Sequence, residues 1–314
     1  ITEKEFEEGD YREVKKLKEK NYFFKMSKYQ DQLINHINDN PDFILPESRK
    51  NEILGFLKKP LDDLCISRPK SRLEWGIEIP FDKDYVTYVW FDALLNYITG
   101  IKWDSDEEFF NDWWPANYHL MGKDIITTHA VYWMTMLMAN NLPLPKHIIA
   151  HGWWLIDKAK MSKSIGNVVN PIKLIDHYGE DSLRYFLMRE MTLGQDASFS
   201  FELFKRRYND DLANDLGNLL NRITILIRKF CNNHVPHTSK KDEIDLELIK
   251  KMEVLPIDLF KNIDDLKINL AIENTMSLVR SINKYLEIKE PWKILKTNII
   301  DQSSLNALSI SCEA

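Results

Sequence analysis

After Phe204 no run of this chain reads as a β-strand. Asp211–Asn232, Ile244–Asn262 and Lys267–Ile288 instead carry apolar residues three and four apart, the spacing of a helix face turned toward a core. Upstream the pattern differs. From Leu61 to Ala150, short β-branched or aromatic runs alternate with helical periods, which argues for a parallel sheet with its ligands at the strand ends. The fold class expected is α/β followed by all-α, with a separate helical domain from about residue 206.

Within the α/β part, Leu64–Ser67 and Trp75–Ile79 read as short strands, and Asp84–Trp90 as the best strand of the chain. That strand runs straight into a helix over about Phe91–Thr99. Tyr118–Met121 is a further strand, after which Gly122-Lys123-Asp124 opens a helix to about Asn140, and His147–Ala150 reads as a buried strand. Ahead of these, Lys28–Asn40 and Pro46–Leu57 read as helices, the second started by proline and Glu47. Pro171–Glu190 reads as one amphipathic helix with Leu174, Ile175, Leu183, Phe186 and Leu187 on its apolar side. Residues 1–20 are charged and have no apolar period that would build a core of their own.

With 314 residues, 44% of them hydrophobic, the chain has material for two or three domains. No stretch is apolar enough to span a bilayer and no secretory leader is seen, so a soluble, cytoplasmic protein without a membrane partner is expected. A net charge of −6 argues against a general polyanion binder, whereas Lys205-Arg206-Arg207 and Arg228-Lys229 leave a local nucleic-acid contact open. Cys65, Cys231 and Cys312 lie far apart, without the pairing of a disulfide framework or a structural zinc site.

The richest segment is HGWWLIDKAKMSKSIGNVVN, residues 151–170. Lys160, Ser162, Lys163 and Ser164 fall within five residues and are followed by Gly166 and Asn167, while the apolar run from Trp153 to Ile156 leads in. A short strand feeding a doubly cationic loop brings point charges and hydroxyl donors to phosphates. The same composition also suits a solvated turn.

Three other constellations accompany it. At the end of the best strand, Trp90 offers an aromatic wall, Ala93 a small side chain and Tyr97 a phenol, a set that suits a thin, weakly polar side chain with one soft acceptor atom. Two core aromatics would read the same. In Gly122 to His129, Gly122 permits close backbone approach, and Asp124 either caps the helix or accepts both hydroxyls of a ribose. His129, five residues on, would point into the same pocket or serve the core. In Leu212 to Arg222, the residues Asn214, Asn218 and Arg222 recur every four positions, a stripe of types that hydrogen-bond unpaired base edges or face solvent. Trp292, after Pro291, is either buried or a stacking platform for a base.

Taken together these residues resemble the bacterial-type methionyl-tRNA synthetases, class I aminoacyl-tRNA synthetases, over nearly the whole chain. Phe23 to Tyr29 and Pro46 to Arg49 are similar to that family's connective insertion, and Val89 to Tyr97 to its methionine-pocket strand and helix. Gly122 to Ile125 with His129, then Val131-Tyr132-Trp133, resembles the segment after the fourth nucleotide-fold strand. His151 to Trp154 and Lys160 to Ser164 resemble the second class signature and its strand. The lysine loop alone fits several class I relatives, and it is the pocket and Gly-Lys-Asp segments that single out methionine.

The resemblance implies a Rossmann-like parallel-sheet core, a stem-contact segment and a helical-bundle anticodon-binding domain. Residues 1–60 would be a remnant of the connective insertion and 61–150 the second half of the nucleotide-binding catalytic domain. Residues 151–205 would be the lysine-signature segment and 206–314 the anticodon domain. It further implies that Trp90, Ala93, Tyr97, Ile125 and His129 line the methionine pocket. Gly122, Asp124 and Trp154 would hold the adenosine of ATP, which arrives with Mg2+, while Lys160, Ser162 and Lys163 meet its phosphates. Asn214, Asn218, Arg222 and Trp292 would read the CAU anticodon of methionine tRNA, in a monomer or homodimer. The family's His-x-Gly-His signature and its zinc-binding cysteine pairs are not in these residues and its last helix is short or missing, so zinc has no ligands here, and a His-x-Gly-His signature in residues preceding Ile1 would restore the complete active site. Two other readings are a non-catalytic tRNA-binding module and a small-molecule nucleotidyltransferase. The Asn–Asn–Arg stripe argues against the second.

Overall fold

The computed structural model describes residues 19–156, 159–161, 166–238, 240–293 and 302–314. The chain divides into two compact units, Ile1–Ala150 and His151–Ala314.

In the first unit, the helix Gln30–Asp39 turns Leu33 and Ile37, four apart, fully inward. The helix Glu47–Phe56 starts after Pro46 and buries Ile53. Between them Ile44–Leu45 runs parallel to His147–His151, with Ile44 opposite Ile148, and Tyr118–Gly122 is that strand's other neighbour. Ile148, Ile149 and Ala150 are all buried, as a strand covered on both faces requires. Met134–Ala139 adds Met134, Met136, Leu137 and Met138 to the same core.

The best strand of the sequence lies outside that parallel sheet. Asp82–Thr87 is the middle strand of an antiparallel sheet, flanked by Ser67–Pro69 and Glu78–Ile79. Alternation of residue types marks a strand with one buried face, which antiparallel sheets supply, and of these six residues only Val86 is buried. The strand also stops earlier than its pattern suggests. Tyr88 is already a helix cap, and Val89 and Trp90 open the helix Val89–Thr99. Trp75 stands in a bend ahead of Glu78–Ile79 rather than in a strand.

The helix expected from Gly122 to Asn140 is a 3-10 turn at Lys123–Ile125, a π-helical stretch at Thr128–Trp133 and an α-helix at Met134–Ala139. An apolar period of three and four does not distinguish these, because one widened turn shifts the face only slightly.

In the second unit, Trp154–Ile156 pairs antiparallel with Ala159–Lys160 and parallel with Ala197–Ser198. The single helix expected over Pro171–Glu190 is two, Pro171–Tyr178 and Glu180–Glu190. Gly179 takes a φ of 80° between them, a left-handed conformation that ends the first helix and that glycine adopts without steric cost. Leu174, Leu183 and Phe186 still face a shared core, joined by Ile175 and Leu187.

The rest of this unit is helical, as the periodicity implies. Phe201–Arg206, the π-helical Arg207–Gly217 and Asn218–Phe230 follow one another without a break. Glu243–Asp264 and Ile268–Lys289 pack side by side, and Gln302–Glu313 packs against both. Leu219, Leu226, Leu248, Met276, Ile282, Leu286 and Leu308 form their core. Buried beside that core is a polar knot: Asp245, 1% exposed, accepts a 2.8 Å hydrogen bond from Tyr285 Oη and lies 2.6 Å from Lys289 Nζ.

Candidate functional site

In the first unit, Trp90, Ala93 and Tyr97 are spaced three and four along Val89–Thr99 and so share a side of that helix, while Leu94 and Ile98 anchor it to the core. Trp90 is half-buried, and Ala93 and Tyr97 are exposed. Tyr97 Oη lies 2.9 Å from His129 Nε2, and His129 Nδ1 lies 2.9 Å from the carbonyl oxygen of Ile125. A carbonyl can only accept, so Nδ1 carries the proton, and Nε2 of the neutral ring accepts from the Tyr97 hydroxyl. Burial lowers the His129 pKa below the usual range, against the opposing pull of the Ile125 carbonyl, and burial raises that of Tyr97. Both rings are thus uncharged near neutral pH. Tyr97, Ile125 and His129, three of the five residues expected in the pocket, are joined by one hydrogen-bond chain.

Behind them stands an aromatic shell that the sequence reading of the pocket does not include. His119 comes from Tyr118–Gly122, and its ring centroid is 4.4 Å from that of Tyr97. Trp133 donates its indole N–H to His119 Nε2 at 3.1 Å. Trp114 closes the far side, 5.9 Å from His119 and 6.3 Å from Trp133, its own N–H given to the Pro143 carbonyl. Buried and exposed residues alternate along Tyr118–Gly122, but Tyr118 and Leu120 face out and His119 faces in, so the residue types alone carry no signal for it.

Gly122 ends that strand and occupies the cap position of Lys123–Ile125, so Asp124 is not the cap. It stands in the first turn with its side chain exposed, at the C-terminal end of a strand of the parallel sheet.

The lysine segment belongs to the second unit. Lys160 pairs opposite Leu155 in the hairpin, its ammonium sits 4.1 Å from the Trp153 ring centroid, and Asn167 Nδ2 donates to its carbonyl at 3.3 Å. Ser162, Lys163 and Ser164 lie outside the described residues. Trp154 is held by sheet pairing opposite Ala197 and by its ring resting on Phe186 at 5.7 Å.

Farther along that unit, Asn214 closes in on the end of the π-helical stretch, Asn218 begins the following α-helix and Arg222 comes one turn later. Both asparagines are exposed. The Arg222 guanidinium lies 5.2 Å from the ring centroid of Trp292, which sits in the 3-10 turn Pro291–Lys293. Asp211 fastens the start of this rod: it is buried, accepts from Tyr185 Oη at 2.7 Å and lies 3.4 Å from Arg207 Nη1. Among the described residues no three His, Cys, Asp or Glu side chains gather as metal ligands would, and no helix is long and apolar enough to cross a membrane.

A parallel-sheet unit, a lysine-bearing hairpin and a helical bundle make up the build of a class I tRNA synthetase. The family model described as tRNA synthetases class I (M) matches residues 9–224, and the chain belongs to that family. It is 51% identical over 287 residues to the methionine–tRNA ligase of Clostridium acetobutylicum, covering 91% of this chain and 44% of that protein. The Clostridium tetani methionine–tRNA ligase is 50% identical over the same shares of the two chains. The crystal structure of Mycobacterium tuberculosis methionyl-tRNA synthetase bound by methionyl-adenylate superposes with a TM-score of 0.87 at 41% identity, covering 94% of this chain and 58% of that one. The chain thus spans less than half the length of the curated relatives.

Proposed function

We infer that this protein is a methionine–tRNA ligase, or the part of one that holds the methionine pocket, the lysine loop and the anticodon-reading helices. What chiefly supports the reading is the uncharged Tyr97–His129–Ile125 chain beside Trp90 and Ala93. An uncharged, aromatic surface with one phenol suits a thioether and disfavours ammonium and carboxylate side chains, whose burial without a partner is costly.

The reaction has two steps. The carboxylate of methionine attacks the α-phosphorus of ATP and pyrophosphate leaves, and the acyl group then passes to a terminal ribose hydroxyl of methionine tRNA. Asp124 accepts the ribose hydroxyls, Gly122 and the Trp154 backbone flank the adenosine, and Lys160, Ser162 and Lys163 meet the phosphates. Mg2+ arrives with ATP. No covalent enzyme intermediate is needed, so catalysis is positioning plus charge stabilisation. Asn214, Asn218, Arg222 and Trp292 read the CAU anticodon, with the Arg222–Trp292 pair as stacking platform. The product serves translation, and a cytoplasmic location fits that role.

Pyrophosphate exchange into ATP, assayed on the intact protein, is expected to require L-methionine. Lys163→Ala is expected to slow adenylate formation by roughly 10²–10³ with methionine affinity nearly unchanged. Exchange that proceeds equally without methionine would refute the assignment. The exposed Asn214 and Asn218 and the Arg222–Trp292 pair equally suit a second reading, a tRNA-binding module without catalysis, whose signature would be tRNA binding with no exchange.

A further inference from the structure

Tyr97 is 37% exposed, its hydroxyl is bonded to His129 and its ring lies 6.0 Å from that of Trp133. The ring nearest to it is that of His119, tilted 37° to it at 4.4 Å. His119 is itself only 5% exposed and fixed by the Trp133 N–H. That bond decides the tautomer: an Nε2 that accepts leaves the proton on Nδ1. Trp133 closes the same π-helical stretch, Thr128–Trp133, that carries His129. His119 therefore bridges the two elements on which the pocket stands, touching one through the Tyr97 ring and the other through Trp133.

We propose that His119 is a positioning residue for methionine selection, holding the Tyr97 phenol at the angle from which it meets both His129 and the substrate side chain. This rests on the methionine-pocket reading above. The imidazole does two things that no single substitute reproduces. It presents a flat ring to Tyr97, and it accepts from a buried indole N–H that would otherwise lose its partner. A histidine that only filled the core would tolerate phenylalanine without changing which amino acid is activated.

The test is pyrophosphate exchange by the intact protein with methionine and norleucine as substrates. His119→Phe is expected to raise the methionine KM about tenfold and to narrow the preference over norleucine, with kcat and the ATP KM within about twofold. In a Tyr97→Ala background the same change is expected to add nothing, because the residue through which it acts is gone. An unchanged methionine KM in His119→Phe, or an equal effect in both backgrounds, overturns the proposal. A parallel fall in kcat and rise in the ATP KM also overturns it, since that marks general damage. Should the variant fail to fold, ¹⁵N resonances of His119 and Trp133 in the unaltered protein take its place. They are expected to shift with methionine and not with ATP alone, and the absence of a methionine-dependent shift overturns the proposal. If the unaltered protein shows no methionine-dependent exchange, the pocket reading fails and this inference falls with it.

Discussion

Tyr97 has one hydroxyl proton, and His129 receives it, because the Ile125 carbonyl obliges the other ring nitrogen to be the donor. Two buried histidines thus stand close to one phenol and neither carries charge. The Coulombic cost of a second proton nearby is visible in His119, whose pKa is lowered from 6.5 to about 4 by burial first and by His129 second. A histidine that protonates more readily unfolded than folded stabilises the fold above about pH 6.5, and that stability is lost as pH falls toward about 4. The contribution of His119 over this window is up to about 3 kcal/mol, in the same direction as that of His129. Urea unfolding between pH 4 and pH 7 is expected to show this slope. His119→Gln, which keeps an acceptor for Trp133 but does not titrate, is expected to flatten it. Equal slopes for the two proteins would contradict the account.

Among the elements, the hairpin that presents Lys160 depends on a glycine for a different reason than the helix break does. A Cβ on Gly152 would sit 2.0 Å from the Gln195 carbonyl oxygen, a backbone atom that cannot step aside without moving Ala197–Ser198, the strand paired with Trp154–Ile156. Gly179 has open space around it and is constrained only by its φ of 80°. Gly152→Ala is therefore expected to cost about 3 kcal/mol or more as overpacking against backbone, and Gly179→Ala about 1–3 kcal/mol as backbone strain. Denaturant midpoints of the two variants give the order, and a milder effect at Gly152 would refute it. The π-helical stretches matter at this scale too. One carries both His129 and Trp133, and the other, Arg207–Gly217, carries the buried Asp211 and the exposed Asn214. Widened turns of this kind are often found at functional sites.

At the scale of the molecule, each unit has its own core, and the helical one closes around charge as well as apolar surface. Lys289, with its side chain 5% exposed, meets both Asp242 at 2.5 Å and Asp245 at 2.6 Å, and Asn306 from the last helix lies 3.4 Å from Asp245. The hydrogen bond from Lys289 is the main reason that the Asp242 carboxyl is held below its usual range. Lys289→Met leaves Asp245 buried without its counter-ion and is expected to cost about 3–5 kcal/mol, whereas Lys289→Met with Asp245→Asn, which removes the charge and keeps an acceptor for Tyr285, is expected to recover much of that loss. Equilibrium unfolding in urea compares them, and a double variant as unstable as the single one would show that the ion pair is not the source of the effect.

Local order was legible in the residues themselves. Apolar spacing marked the long helices after Phe204, and the short motifs around Trp90, Gly122, Lys160 and Asn214 pointed to the family, because both signals reside in neighbouring side chains. Pairing was not legible. Whether Asp82–Thr87 joins the parallel or the antiparallel sheet depends on partners elsewhere in the chain, and a pattern with period two is compatible with either. Tyr97 and His129 are 32 residues apart, His119 and Trp133 are 14 apart, and Arg222 reaches Trp292 across two helices. The order of residues determined which side chains were available to the pocket. Only packing decided which of them meet, because a hydrogen bond between distant residues is a property of the closed chain and leaves no trace in local spacing.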